Sequence, residues 1–158
     1  MQYDVVIVGG GPAGLSTAIK LKQLNSETTV CIIEKASEIG GHILSGNVFE
    51  TKALDELIPY WKEKGAPIKT KVTSEEFLFL NKKNSFNIPT WLLPKSIQNH
   101  GNYIISLANL CRWLGEQAES LGVEIFPGFA ASKIVYNEDQ IVVGIQTGDM
   151  GVDKNGKP

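Results

Sequence analysis

An α/β fold built on a parallel β-α-β unit is predicted by three observations in this sequence. A run of β-favouring apolar residues, Val5-Val6-Ile7-Val8, stands almost at the start of the chain. It leads directly into Gly9-Gly10-Gly11-Pro12-Ala13-Gly14, a Gly-x-Gly-x-x-Gly turn that opens into an amphipathic pattern. A second apolar run, Thr29 to Ile33, then ends on an acid, Glu34. Strand, glycine turn, helix, strand and carboxylate, in that order, are the parts of a dinucleotide-binding unit.

Each part has a physical task. Gly9 permits the tight turn off the strand. Gly11, without a Cβ, lets the backbone approach a pyrophosphate, and Gly14 lets the helix pack closely on the sheet. Pro12 fits the first helical turn, where its missing N–H loses nothing. Beyond it, Ala13 and Gly14 bring backbone N–H groups to the positive end of the helix dipole, where a diphosphate is held. Leu15, Ala18, Ile19, Leu21 and Leu24 give this helix its apolar side. Glu34 follows Gly14 by about 20 residues, where a carboxylate accepts hydrogen bonds from both ribose hydroxyls and repels a 2′-phosphate. That disfavours an NADP-type ligand. Lys35 either borders the adenosine or is an ordinary solvated lysine.

The remainder of the chain reads more loosely. Ile39-Gly40-Gly41-His42-Ile43-Leu44-Ser45-Gly46 is a glycine-marked loop; its paired glycines let backbone N–H groups face a phosphate or a ring edge, and Ser45 adds a hydroxyl. A plain connecting loop is the alternative. Ala53-Leu54 and Leu57-Ile58 suggest a short helix stopped by Pro59. Tyr60 to Thr73 is irregular. Phe77-Leu78-Phe79-Leu80 and Ser85-Phe86-Asn87-Ile88 flank Asn81-Lys82-Lys83-Asn84, a hairpin with a basic tip, and a proline-punctuated apolar stretch with Trp91, Leu92 and Leu93 follows. Leu107, Leu110, Cys111, Leu114, Ala118 and Leu121 form one helical stripe, capped by Gly122. Val123 to Phe126 is a short strand, and Phe129 to Tyr136 with Ile141 to Thr147 form a second hairpin. The segment from Gly148 to Pro158 reads as a loop between two elements, which points to a fragment.

Composition narrows the function classes. With 158 residues the chain can bury one core, and a net charge of −2 with charges mixed along the chain gives no sign of nucleic acid. Cys31 and Cys111, the only two cysteines, sit in an apolar strand and on an apolar helix face, as buried thiols do; two cannot supply the four thiolates of an iron–sulfur cluster. No metal ligands and no acid–base catalyst are assigned. No apolar run approaches the ~20 residues of a membrane span, and the first strand begins too close to Met1 for a targeting peptide, so the chain reads as intracellular.

A β-α-β core, a long insertion, then a helix, a third strand and a hairpin is the layout of Rossmann-like FAD-binding domains of the glutathione-reductase type. The expected organisation is a first β-α-β unit with its cofactor loop over 1–50, an insertion over 51–102 with the apolar hairpin at 77–97, and helix, third strand and hairpin over 103–158, the rest of the domain lying outside the chain. Val5 to Leu15 resembles the FAD form of the glycine fingerprint, with Pro-Ala-Gly-Leu after the glycines. Further segments resemble the electron-transfer-flavoprotein:ubiquinone oxidoreductases, especially bacterial forms: Glu34-Lys35 through Gly41-His42-Ile43-Leu44-Ser45-Gly46; Trp61-Lys62-Glu63-Lys64-Gly65-Ala66-Pro67; Asn99-His100-Gly101-Asn102-Tyr103; Leu114 to Glu119; Pro127 to Ala130; and Thr147-Gly148-Asp149-Met150-Gly151.

The resemblance implies FAD, electrons accepted from electron-transfer flavoprotein and passed to ubiquinone, and a [4Fe–4S] cluster whose cysteines lie beyond Pro158. It implies a peripheral place on the cytoplasmic face of a bacterial inner membrane, or on the matrix face of a mitochondrial one. It puts Gly41, His42, Ile43, Leu44 and Ser45 near the flavin, and the backbone at Ala130 against adenine. Related flavin hydroxylases often carry an arginine near the start of the helix that precedes the third strand; Ser106 stands in that region here, so no arginine contact is assigned, and Arg112 reads as a solvated helix residue. It also turns Phe77, Phe79, Phe86, Trp91, Leu92 and Leu93, edged by Lys82, Lys83 and Lys95, into a candidate membrane- and quinone-side anchor; packing beneath a substrate domain is the alternative. A hydroxylase or prenyl-chain reductase of the same fold would share the glycine turn without needing the Trp61 and His100 segments, and an inactive FAD-binding remnant is the third reading.

Overall fold

The computed structural model describes residues 1–148; of the closing loop and the Thr147-to-Gly151 motif, everything from Asp149 on lies outside the described residues. The chain divides into two compact units, one formed by Met1–Leu44 with the chain from Ala108 onward, the other by Ser45–Leu107.

In the first unit, β1 (Val5–Val8), α1 (Pro12–Leu24) and β2 (Val30–Glu34) form the β-α-β unit. β2 lies in the middle of a three-stranded sheet, between β1 and β8 (Glu124–Pro127). Both pairings are parallel, with Ile7 opposite Ile32 and Ile32 opposite Ile125. A central parallel strand is covered on both faces and needs no polar alternation, and Val30, Cys31, Ile32 and Ile33 are all buried. Leu15, Ala18 and Ile19 of α1 are fully buried; full burial of a side chain of the Leu or Ile size contributes about 1.5–3 kcal/mol.

α3 (Leu107–Ser120) buries Leu110, Cys111, Leu114 and Ala118 as its stripe predicts, and Trp113 as well. Leu121 falls after the last helical turn and is 39% exposed. Gly122, at φ +83°, ends the helix, with the Val123 N–H donating to the Ala118 carbonyl at 3.1 Å. Burial pushes the Cys111 thiol up to about 11 and also raises Cys31, so neither is a thiolate near neutral pH. β9 (Ala131–Tyr136) and β10 (Val142–Thr147) form the expected hairpin. Between β10 and the sheet face carrying Val6, Cys31, Ile33 and Phe126 lies an apolar cavity of about 380 Å³.

The second unit holds three short strands that the sequence pattern does not announce. β3 (Asn47–Phe49) and β4 (Thr70–Lys71) both pair antiparallel with β7 (Tyr103–Ile105). The expected boundaries at 51 and 102 leave out β3 and β7, whose pairing closes the unit. α2 (Lys52–Leu57) ends before Pro59. β5 (Phe77–Leu80) and β6 (Ser85–Ile88) form the hairpin, with Phe79 opposite Phe86, and 3₁₀ turns follow at Thr90–Leu92 and Lys95–Ile97.

The motif segments around Trp61 and His100 have architectural work here. The buried Trp61 indole N–H donates to Asp55 Oδ1 at 2.6 Å, and its ring meets Tyr103 edge to face. The Asn99 N–H donates to Glu75 Oε2, and the Asn102 carbonyl accepts from the Val72 N–H. Asp55 also accepts from the Thr51 hydroxyl, and these two hydrogen bonds, the indole's first, hold its carboxyl below its ordinary value. A depressed folded value means that this contribution is complete above the ordinary carboxylate range and is lost as pH falls through the folded value. Denaturant midpoints measured from pH 7 down to pH 3 should therefore fall less steeply in Asp55→Asn than in the unchanged chain.

Candidate dinucleotide site

The carboxyl ends of the three parallel strands bring the site together, as expected where an open α/β sheet holds its ligand. β1 delivers the glycine turn, β2 delivers Glu34, and β8 delivers Gly128, Phe129 and Ala130. Backbone hydrogen bonds tie these ends to one another. The Gly9 N–H donates to the Ile33 carbonyl at 2.8 Å, the Phe129 N–H to the Glu34 carbonyl at 2.9 Å, and the Gly128 N–H to the Ala36 carbonyl at 2.7 Å.

The glycines divide by physical cause. Gly9 has φ +102°, a conformation that favours glycine. A Cβ on Gly14 would stand 2.1 Å from the Gly9 carbonyl oxygen, so the close approach of α1 requires glycine there. A Cβ on Gly11 would meet no protein atom within 4 Å. The opening beside Gly11 is thus a cradle that a side chain would fill, and it adjoins the start of α1. There Gly11 is the N-cap without a side-chain cap, Pro12 brings no N–H, and the first turn has no acid. A helix N-terminus left this way is suited to an anionic group, and the donor set fits the diphosphate of a dinucleotide.

Glu34 is already engaged by the protein. Its Oε2 accepts the Gly10 N–H at 2.7 Å and its Oε1 the Ala36 N–H at 2.8 Å. Spacing points this acid at the ribose and says nothing of Gly10, a buried residue whose place in a run of three glycines is the one local signal of its part. Where a Gly10 Cβ would stand, the structure has the end of the Ile39 side chain, which can swing aside. Lys35 is exposed beside Glu34. Ala130 follows the residue that bonds the Glu34 carbonyl, and its own carbonyl accepts the Gly148 N–H at 2.9 Å.

The loop after β2 is held more firmly than a plain connection. Gly40 (φ +81°) faces the Ala108 carbonyl, which a Cβ would approach to 2.7 Å. The Gly41 N–H donates to the Glu38 carbonyl and the Ile43 N–H to the Gly40 carbonyl. Those two N–H groups are spent inside the turn, and His42 and Leu44 are exposed beside them. Ser45 opens the second unit and is exposed. Arg112, read from sequence as simply solvated, pairs with Glu38 at 3.0 Å and donates to the Asn109 side chain. Both partners are partly exposed, so the pair contributes little to stability. Phe77, Phe79, Phe86, Trp91 and Leu92 are all exposed, Trp91 to 76%, while Leu93 is half-buried. Among the described residues no helix is long and apolar enough to cross a membrane.

Fold and site together define a Rossmann-like dinucleotide-binding domain. The NAD(P)-binding Rossmann-like domain family matches residues 7–66. Among solved structures, a geranylgeranyl bacteriochlorophyll reductase-like protein from Thermoplasma acidophilum superposes with a TM-score of 0.68 at 22% identity, over 92% of this chain and 34% of that one. A flavin-dependent brominase superposes with a TM-score of 0.63 at 20% identity, over 94% and 34%. At such identities the likeness is one of fold.

The sequence relatives are more specific. The electron transfer flavoprotein-ubiquinone oxidoreductase of Pseudomonas aeruginosa is 56% identical over 100% of this chain and 30% of its own length. The mitochondrial protein of that name from Dictyostelium discoideum is 57% identical over 98% of this chain and 26% of its own length, and the one from Rattus norvegicus 52% identical over 99% and 26%. The chain is therefore a homologue, end to end, of a short N-terminal part of the electron transfer flavoprotein-ubiquinone oxidoreductases.

The last two glycines of the turn should separate on substitution. Gly14→Ala should destabilise the fold by about 1–3 kcal/mol through overpacking, read from denaturant unfolding. Gly11→Ala should leave unfolding unchanged and weaken ADP binding about tenfold, ~1.4 kcal/mol, by calorimetry.

Proposed function

We propose that this chain is the FAD-binding portion of an enzyme that takes electrons from reduced electron transfer flavoprotein and delivers them to ubiquinone at a membrane surface. The end-to-end identity to oxidoreductases of that name, 56% and 57% in a bacterium and an amoeba, carries the reading. The glycine turn, the uncapped start of α1 and Glu34 support it, since they fit the ADP half of a dinucleotide. When bound, FAD supplies the electron-transfer chemistry. Gly9, Gly11, Pro12, Ala13 and Gly14 shape the phosphate cradle, Glu34 takes the ribose, Lys35 borders the adenosine and Ala130 the adenine. His42, Ile43, Leu44 and Ser45, with Gly41 shaping their turn, serve the flavin side. None of these is asked to move a proton.

The [4Fe–4S] cluster of this reading draws its ligands from outside these residues, because Cys31 and Cys111 are two thiols where four are required. The exposed hairpin supports contact with a membrane. Phe77, Phe79, Phe86 and Ile88 share one face of a two-stranded sheet, Trp91 and Leu92 follow, and Lys82 and Lys83 stand at the tip. Aromatic and aliphatic side chains edged by lysines suit a bilayer interface carrying anionic lipid. The side of the membrane follows the reading: matrix in a mitochondrion, cytoplasm in a bacterium.

The full chain should purify with FAD and should reduce a short-chain ubiquinone with reduced electron transfer flavoprotein as donor. Absence of that activity in a flavin-loaded enzyme would overturn the proposal. Trp91→Ser with Leu92→Ser should release the enzyme from anionic liposomes in a sedimentation assay while leaving turnover of a water-soluble quinone in place. Unchanged sedimentation would remove the anchor from the proposal.

A further inference from the structure

We propose that Glu34 is a positioning residue for the glycine turn in addition to its part in holding the ribose. The inference rests on the nucleotide-binding reading above and deepens it. Each oxygen of the carboxylate accepts one backbone N–H, from Gly10 at 2.7 Å and from Ala36 at 2.8 Å. Hydrogen bonds to an ionised acceptor are among the stronger ones. Gly10 and Ala36 are both buried, so either N–H deprived of its acceptor would carry a desolvation penalty.

The bond to Gly10 has a directional consequence. The peptide between Gly9 and Gly10 is planar, so fixing the Gly10 N–H fixes the orientation of the Gly9 carbonyl. That carbonyl is the group against which Gly14 packs, and Gly11, the next residue, is the N-cap of α1. Glu34 thus sets the path by which the chain leaves β1 and enters the helix whose free end receives the phosphates. A carboxylate has about four lone-pair positions; two are taken by Gly10 and Ala36, and the other two remain for ribose hydroxyls. Both tasks can be performed at once.

The test is Glu34→Gln in the full chain. A ribose hydroxyl both donates and accepts, so glutamine serves the ribose nearly as well as glutamate. The turn is less forgiving, because whichever way the amide is rotated its NH₂ faces the N–H of Gly10 or of Ala36. Calorimetry with ADP and with 2′,3′-dideoxy-ADP should show both ligands weakened by the same factor, about tenfold. A loss with ADP that vanishes with the dideoxy ligand would overturn the positioning role and leave Glu34 a ribose acceptor alone.

Amide exchange at Gly10 supplies a readout independent of ligand. In the nucleotide-free, unchanged chain this N–H should be protected, and Glu34→Gln should speed its exchange about tenfold or more. Rapid exchange in the unchanged chain would overturn the latch even if the variant did not fold. Failure of the unchanged chain to bind ADP or FAD would instead overturn the nucleotide reading, with Gly10 protection still deciding the latch.

Discussion

The pairing of β2 with strands on both sides is the constraint on which the rest of the first unit depends. β1 reaches it locally through α1. β8 reaches it from the far end of a long excursion, and its register, with Glu34 opposite Pro127, brings Gly128 and Phe129 alongside Glu34. A shift of one residue in that register would turn every β8 side chain to the opposite face. Ile125 would leave the face it shares with Ile7 and Ile32, and the Phe129 N–H would lose the Glu34 carbonyl. Core packing and site geometry are thus two results of one alignment.

The turn and the acid form a second level of the same arrangement. Several contacts that hold the site are made by groups that a ligand can also use: the Glu34 carboxylate accepts backbone donors, and the start of α1 lacks a cap of its own. The loop after β2 is anchored beside them at Gly40, which packs against the backbone of α3.

What could be read from the chain follows from how local each signal is. β1, α1, β2, the two hairpins and α3 announce themselves through apolar runs, turn residues and helical periodicity, all carried within a short window. β3, β4 and β7 do not, since strands of two and three residues are too short for alternation to register; their existence depends on pairing across dozens of residues. Trp113 was missed because it flanks the stripe instead of lying on it, and Leu121 fits the stripe but falls past the helix end. At the site, Gly9, Gly14 and Glu34 were legible from spacing. The demand at Gly14 proved steric, through the Gly9 carbonyl, whereas that at Gly11 comes from no protein atom. The bonds from Gly10 and Ala36 to Glu34 were not legible, because no sequence pattern states which backbone N–H a carboxylate will find. Nor did the doubled glycine at 40 and 41 tell its two members apart: one packs against α3 and the other spends its N–H within the turn.

The antiparallel pairing of β3 with β7 has a consequence for how the excursion from 45 to 107 is tolerated. Asn47 lies opposite Ile105, and the Gly46 N–H donates to the Ile105 carbonyl at 3.2 Å. The chain therefore enters and leaves the second unit at adjacent points. For the first unit, the entropy of closing so long a loop is borne by a fold with its own sheet and its own buried tryptophan, and what remains to be closed is only the span between neighbouring strand ends. Length inside that closed boundary can change with little effect on the parallel sheet. The second unit is in this sense a module, bounded where β3 and β7 meet.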